Sequence, residues 1–202
     1  MADRYHLHGT SERQCPLALL LIDVINDMEF DPGGDQLLRQ TLPVARKLAA
    51  LKWRARQAGV PAIYVNDNFG QWQSDFKKLV RHCLDDGVRG EPVVRLLLPE
   101  ADDYFVLKPK SSAFFETTLH TLLNHLGAKT LILTGVAADV CVLFTAHDAH
   151  LLDYNILVPS DCVASEKATE TRMALRNMEK ATGAEVLRSD EIDFRRLLRK
   201  AA

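Results

Sequence analysis

The chain has 202 residues, 47% of them hydrophobic and 26% charged, with a formal net charge of −2. That length and apolar content suit a single domain spanning 1–202 with a sizeable core, and the interspersed charges exclude the basic footprint of a nucleic-acid binder. No apolar run approaches a membrane span and no charged start leads into an apolar signal core, so no membrane contact is expected and the expected compartment is cytoplasmic.

Residues 1–14 read as a loose polar terminus, where His6 and His8 are spaced as a metal pair but fit a frayed end better. Leu17 to Ile22 is a continuous apolar run, the pattern of a strand buried on both faces, and Asp23 follows it directly. A carboxylate at the carboxyl end of such a strand points into the ligand crevice of an open sheet; the alternative is an Asp that caps the next turn. Asn26, Asp27 and the segment from Asp31 to Gly34 read as loop. From about Gln36 to Gln57, Leu37, Leu38, Leu42, Val44, Leu48, Leu51 and Ala55 give a helical apolar stripe that stops at Gly59 and Pro61.

Ala62 to Val65 is a second strand, delivering Asn66, Asp67, Asn68, Phe69, Gly70 and Trp72 to the same edge as Asp23. Asn66, Asp67, Phe69 and Trp72 are the candidates for a substrate pocket, against plain polar turn chemistry. A short helix from Ser74 to Leu84 turns Phe76, Leu79, Val80 and Cys83 inward, so Cys83 reads as core. Pro92, Pro99 and the acids that follow predict a mostly irregular segment. Tyr104 to Leu107 is a third strand that ends in Lys108, a second charge in the position of Asp23. Ser111 or Ser112 is expected to cap a helix carrying Phe115, Leu119, Leu122 and Leu123, which Gly127 ends. Lys110, past the proline, reads as a solvated lysine.

The stretch from Thr130 to His147 changes period in the middle. Leu131 to Leu133 is a buried strand between two threonines, Gly135 breaks it, and from Ala138 the spacing of Val140, Leu143, Phe144 and His147 is helical. Cys141 therefore falls in the first turn of a helix, where unpaired N–H groups and the dipole favour a thiolate nucleophile; the alternative is a buried, inert cysteine. Beyond it come a strand at Ile156 to Val158, an amphipathic helix from Glu166 to Lys180, an edge strand at Ala184 to Leu187 and a closing helix at Ile192 to Leu198. Strands alternating with helices indicate a largely parallel sheet covered on both faces. The four cysteines, Cys15, Cys83, Cys141 and Cys162, form no C-x-x-C pair, and no disulfide is expected.

Asp23, Lys108 and Cys141 each end a strand or open the next helix, so one crevice can gather an acid, an ammonium and a thiol. Such a set supports acyl chemistry: the carboxylate takes the thiol proton, the ammonium holds both charges, and backbone N–H groups between Val136 and Cys141 can face an oxyanion.

These residues also carry a resemblance. Asp23 after its apolar strand, Lys108-Pro109 with Ser111 and Phe114, the run from Thr134 through Gly135, Val136, Asp139 and Cys141 to Val142, and the later Thr145 to Ala149 and Val158 to Asp161 resemble the isochorismatase-like cysteine hydrolase superfamily from about Leu17 to about Glu191. The resemblance implies an α/β fold: a three-layer α/β/α sandwich around a six-stranded, mostly parallel, doubly wound sheet. It implies Cys141 as nucleophile, Asp23 as base then acid, Lys108 as the group orienting them, a cis peptide joining Val136 to Ala137, and the N–H groups of Ala137 and Cys141 as oxyanion donors. It implies a small-molecule amide or carbamoyl substrate and a homodimer or higher homo-oligomer whose pockets a neighbouring subunit can close. Nicotinamidase-type relatives hold a metal through an Asp-x-His motif and a further His after the second strand. Here that place reads Asn66-Asp67-Asn68, and His82, His120, His125, His147 and His150 sit on predicted helices without a carboxylate partner, so no metal and no cofactor are expected. Ala138 stands where many relatives have Thr. Two rivals to amide hydrolysis remain open: isochorismatase-type cleavage of a vinyl ether, whose enzymes generally lack the cysteine, and a non-catalytic binding or assembly protein on the same scaffold.

Overall fold

A computed structural model of the chain describes residues 14–70, 72 and 75–201. His6, His8 and the rest of the segment 1–13 lie outside the described residues. The elements in order are β1 (Leu17–Ile22), α1 (Gly34–Gln57), β2 (Ala62–Asp67), α2 (Phe76–Asp85), α3 (Glu91–Leu96), β3 (Tyr104–Lys108), α4 (Leu119–Leu126) and β4 (Thr130–Val136). A single π-helical turn (Ala138–Val142) leads into α5 (Leu143–Leu151), followed by β5 (Asn155–Pro159), β6 (Val163–Ala164), α6 (Ala168–Thr182), β7 (Glu185–Leu187) and α7 (Phe194–Ala201).

Every residue of β1 and β4 is buried, because helices cover both faces of the sheet. Along β1, Leu17, Leu19 and Leu21 face a core shared with Leu48, Leu51 and Ala55 of α1, Phe76, Val93 and Phe194. The alternate residues Ala18, Leu20 and Ile22 face the opposite core, built on Leu119 and Leu123 of α4, Ala146 and Ala149 of α5 and Met178 of α6. This is the period of two expected of a strand, read out as two separate hydrophobic layers.

All strand pairs are parallel, in the order β3-β2-β1-β4-β5-β7. The chain winds outward from β1 through β2 to β3, then returns to β4 on the other side of β1. The winding therefore reverses between β1 and β4, the place where open α/β sheets bind ligands at their carboxyl ends.

Six of the strands lie along this path, as expected; the sheet has a seventh. Val163–Ala164 pairs with Gly135 and Val136 beyond the point where β5 leaves β4. Two residues carry too short a pattern to be read as a strand. The same pairing extends β4 through Gly135, which the sequence reading treated as a break. Gly135 has φ +112, and a Cβ there would lie 2.0 Å from the Ile22 carbonyl oxygen, so glycine is present for close approach of β1. Helix α3 lies in the segment expected to be irregular: Pro92 sits in its first turn, where a missing N–H has no helical partner to lose. The helix expected after Ser111 starts only at Leu119, and Ser112 is no cap; its hydroxyl instead donates to Asp148, and Phe115 is exposed. Among the described residues no helix is long and apolar enough to cross a membrane.

Candidate active site

Asp23 is the first residue past β1. Its N–H donates to the Val65 carbonyl at 2.9 Å, continuing the ladder with β2, while its φ of +51 turns the chain out of the sheet. One carboxylate oxygen accepts the Asp67 N–H at 2.7 Å, and the other lies 2.9 Å from Lys108 Nζ. Lys108 ends β3 two strands away, yet its side chain is 0% exposed and reaches across β2. Its ammonium also donates to the Lys110 carbonyl at 3.1 Å and to Cys141 Sγ at 3.5 Å. Cys141 and Asp23 are brought to the same ammonium. Three residues distant in sequence thus meet at the switch point between β1 and β4.

The electrostatics of the three differ from the sequence reading in one respect. The first turn of a helix was expected to favour a thiolate at Cys141. Burial instead pushes the thiol up to about 12, aided by the neighbouring Asp23 carboxylate, and the Lys108 ammonium offsets only part of this. Desolvation outweighs the turn's few oriented N–H groups here. Burial likewise raises Asp23 above its ordinary value, with Lys108 and the hydrogen bonds from Cys141 and Asp67 pulling the other way. Burial opposes the charge on Lys108, but Asp23, Cys141 and Asp67 overcome it and hold the ammonium above its ordinary value. Burial thus favours the neutral thiol at Cys141, beside an Asp23 carboxyl group and a Lys108 ammonium 2.9 Å apart.

The turn that presents Cys141 is fastened from several sides. The peptide bond from Val136 to Ala137 is cis. The Gly135 N–H donates to the Cys162 carbonyl at 2.9 Å, and the Asp139 N–H donates to Ser165 Oγ at 3.2 Å. Ser165, which the sequence reading passed over, thus supplies a hydroxyl at the start of a turn where Ala138 has none. On the far side, buried Thr145 donates to the Cys141 carbonyl at 2.7 Å and accepts the Ala113 N–H at 3.0 Å, tying the chain after Lys108 to the helix after Cys141.

A cleft of about 810 Å³, lined by Phe30, Asp67, Phe69, Trp72, Leu79 and His82 among others, reaches this cluster through Asp67; Asp23, Lys108 and Cys141 do not line it. Of the expected pocket residues, Asp67, Phe69 and Trp72 face it. Asn66 does not. It is fully buried and donates from Nδ2 to the Ile25 carbonyl at 2.7 Å, because one step along a strand moves a side chain to the other face. Asp67 faces the cluster as well as the cleft, with Oδ2 3.5 Å from Lys108 Nζ. His82 was expected to lack a carboxylate partner, yet its ring lies 2.7 Å from Asp86 and 3.3 Å from Asp27. Asp86 is four residues on along the same helix face and was legible in the sequence; Asp27 arrives from a distant loop and was not. These hydrogen bonds, to Asp86 first and then Asp27, raise the imidazole above its ordinary value.

The residues at the end of β2 do not suit the metal that an Asp-x-His motif would hold. Asn66 is turned toward Ile25, Asp67 is taken up with Lys108, and no group of three His, Cys, Asp or Glu among the described residues is placed to hold an ion. Cys15, Cys83 and Cys162 are buried and form no disulfide among the described residues, and burial pushes both Cys83 and Cys162 up to about 12.

Residues 17–191 match the family model of the isochorismatase domain. An uncharacterized isochorismatase family protein of Bacillus subtilis, YaaI, is 42% identical over 175 residues, spanning 87% of this chain and 95% of that protein. The ureidoacrylate amidohydrolase RutB of Serratia proteamaculans is 29% identical over 168 residues, spanning 71% of this chain and 68% of its own. Among solved structures, the N-carbamoylsarcosine amidase of Thermoplasma acidophilum superposes with a TM-score of 0.68 at 29% identity, over 88% of this chain and 98% of that one.

Proposed function

The chain belongs to the isochorismatase family and is a hydrolase, and on that premise we propose that it is a cysteine amidohydrolase, cleaving the C–N bond of a small amide or carbamoyl compound through a thioester on Cys141. The observation that carries this reading is the shared ammonium: Lys108 Nζ lies within 2.9 Å of Asp23 and 3.5 Å of Cys141 Sγ. A thiol pushed up to about 12 is no nucleophile at neutral pH by itself. It needs a base in contact, and Asp23, raised by burial, is better matched to the task than an ordinary carboxylate.

In the forward step Asp23 takes the Cys141 proton as the sulfur attacks the substrate carbonyl carbon. The N–H groups of Ala137 and Cys141 receive the oxyanion, and Lys108 keeps a positive charge beside the reacting atoms. As the tetrahedral adduct collapses, Asp23 passes its proton to the departing nitrogen and the thioester remains. Water then gives a proton to Asp23 and attacks the thioester; as the C–S bond breaks and the acid leaves, Asp23 returns that proton to the sulfur and the thiol is restored. Asp67, Phe69 and Trp72 line the space in which the rest of the substrate would sit. The amidase and the amidohydrolase among the relatives support a C–N substrate.

The test is intact-protein mass spectrometry with a panel of amides and carbamoyl compounds, together with isochorismate. The expected result is an acyl adduct on Cys141, with turnover abolished in Cys141→Ala and in Asp23→Asn. Full turnover of any amide by Cys141→Ala would end the covalent mechanism. Turnover of isochorismate alone, independent of Cys141, would replace it with vinyl ether hydrolysis.

A further inference from the structure

Lys108 is paired with two carboxylates, and the mechanism proposed above uses only one. Asp67 brings the second. Its Oδ2 lies 3.5 Å from the ammonium, its N–H donates to Asp23 at 2.7 Å, and its Oδ1 accepts the Phe69 N–H at 2.6 Å. The consequence follows from charge balance. In the resting site the fully buried ammonium is neutralised chiefly by Asp23. Once Asp23 takes the thiol proton it carries no charge, and the sulfur's charge moves onto the substrate. A deeply buried ammonium is sensitive to how many anions face it and how near they lie, so a second carboxylate 3.5 Å away favours the state in which Asp23 holds the proton and the negative charge has moved off it.

We infer that Asp67 is a positioning residue that acts through Lys108: its carboxylate shares the ammonium with Asp23, balances that charge when Asp23 is protonated, and so raises the proton affinity of the base. By drawing the ammonium's field away from Asp23, Asp67 lets the base hold the thiol's proton more firmly. The neighbouring charges leave this role to Asp67. Lys108 is faced by Asp23 from the end of β1, by Asp67 from β2, by Cys141 from the π turn and by the Lys110 carbonyl. The other charged groups lining the cleft are engaged elsewhere: Glu29 with Arg89, Lys78 with Asp75, and Asp27 with His82, which also holds Asp86.

The inference rests on Cys141 and Asp23 working as a pair, and its test needs no substrate. The rate at which iodoacetamide alkylates Cys141 is followed by peptide mass spectrometry from about pH 4 to about pH 9 in the wild type, Asp67→Asn and Asp67→Glu. Asp67→Asn keeps the size of the side chain and an acceptor for the Phe69 N–H but removes the charge. Removing a negative charge from this cluster favours the ionised form of every anionic group in it, so the acid limb of the profile should move down by about one pH unit. Asp67→Glu should restore it. Asp67→Ser provides a second neutral variant should the asparagine fail to fold. An acid limb that stays in place in a folded neutral variant overturns the role of Asp67 alone. Wild-type Cys141 labelling no faster than Cys83 or Cys162 overturns the nucleophile reading itself, and the two failures are distinguishable.

Discussion

The ammonium of Lys108 offers the sharpest test of how this site is held together. Its side chain is 0% exposed and meets two carboxylates, a backbone carbonyl and a sulfur. In Lys108→Met the volume is roughly kept while the charge goes, leaving Asp23 buried without its cation. Breaking a buried pair in this way costs about 3–5 kcal/mol, unless the remaining carboxyl picks up a proton. Asp23 is already raised by burial, and losing the ammonium that pulls it down drives it higher still. A carboxyl whose folded pKa exceeds its unfolded one, near 4, binds protons more tightly in the folded state. Stability therefore falls as pH climbs past the unfolded value, and goes on falling until the folded pKa is passed. The penalty of Lys108→Met should thus be small near pH 4 and grow toward the full range at neutral pH and above. Urea denaturation of both proteins across that window measures it. A penalty that does not change with pH, or one below about 1 kcal/mol at neutral pH, would refute the reasoning, because Asp23 would then not be depending on Lys108 for its charge.

Gly135→Ala should cost about 2–4 kcal/mol in a denaturant titration, since its methyl would meet the Ile22 carbonyl at 2.0 Å and its φ is +112. Because Ile22 precedes Asp23, the same variant should also slow Cys141 alkylation. Thr145→Val removes a hydroxyl bonded to both Cys141 and Ala113 and should lose about 1–3 kcal/mol, whereas Thr145→Ser should recover most of it. His82 is raised by its hydrogen bonds to Asp86 and Asp27, so its contribution is present below the unfolded histidine value and lost as pH rises through the folded one. With a side chain 42% exposed, the effect is screened: His82→Asn should cost no more than about 0.5 kcal/mol below pH 6 and nothing in alkaline solution, read as the difference between two melting curves.

Much of the site's composition could be read along the chain, because each of its members occupies a marked place. Asp23 and Lys108 are charges directly after apolar runs, and Cys141 lies where strand period gives way to helical period. The elements that escaped are those whose local signal is weak or contrary. Val163–Ala164 is too short to show alternation, α3 opens with a proline that reads as a breaker, and Gly135 reads as a stop although its strand continues. Asn66 was placed in the pocket as the first residue past a strand ending at Val65, but β2 runs on through Asp67 and its pleat puts Asn66 on the opposite face. The second partner of His82 and the pairing of Asp67 with Lys108 join separate elements, and no spacing rule contains them.

By itself the amino-acid order determined the alternation of strands and helices, the doubly covered parallel sheet and the three chemical groups at strand ends, since these follow from hydrophobic period and local backbone preference. Only the tertiary structure decided that the ammonium crosses β2 to reach Asp23, that Asp67 shares it, and that burial raises the Cys141 thiol. Those properties depend on distances between residues far apart in the chain and on how much water the packed helices exclude, and neither quantity is encoded at any single position.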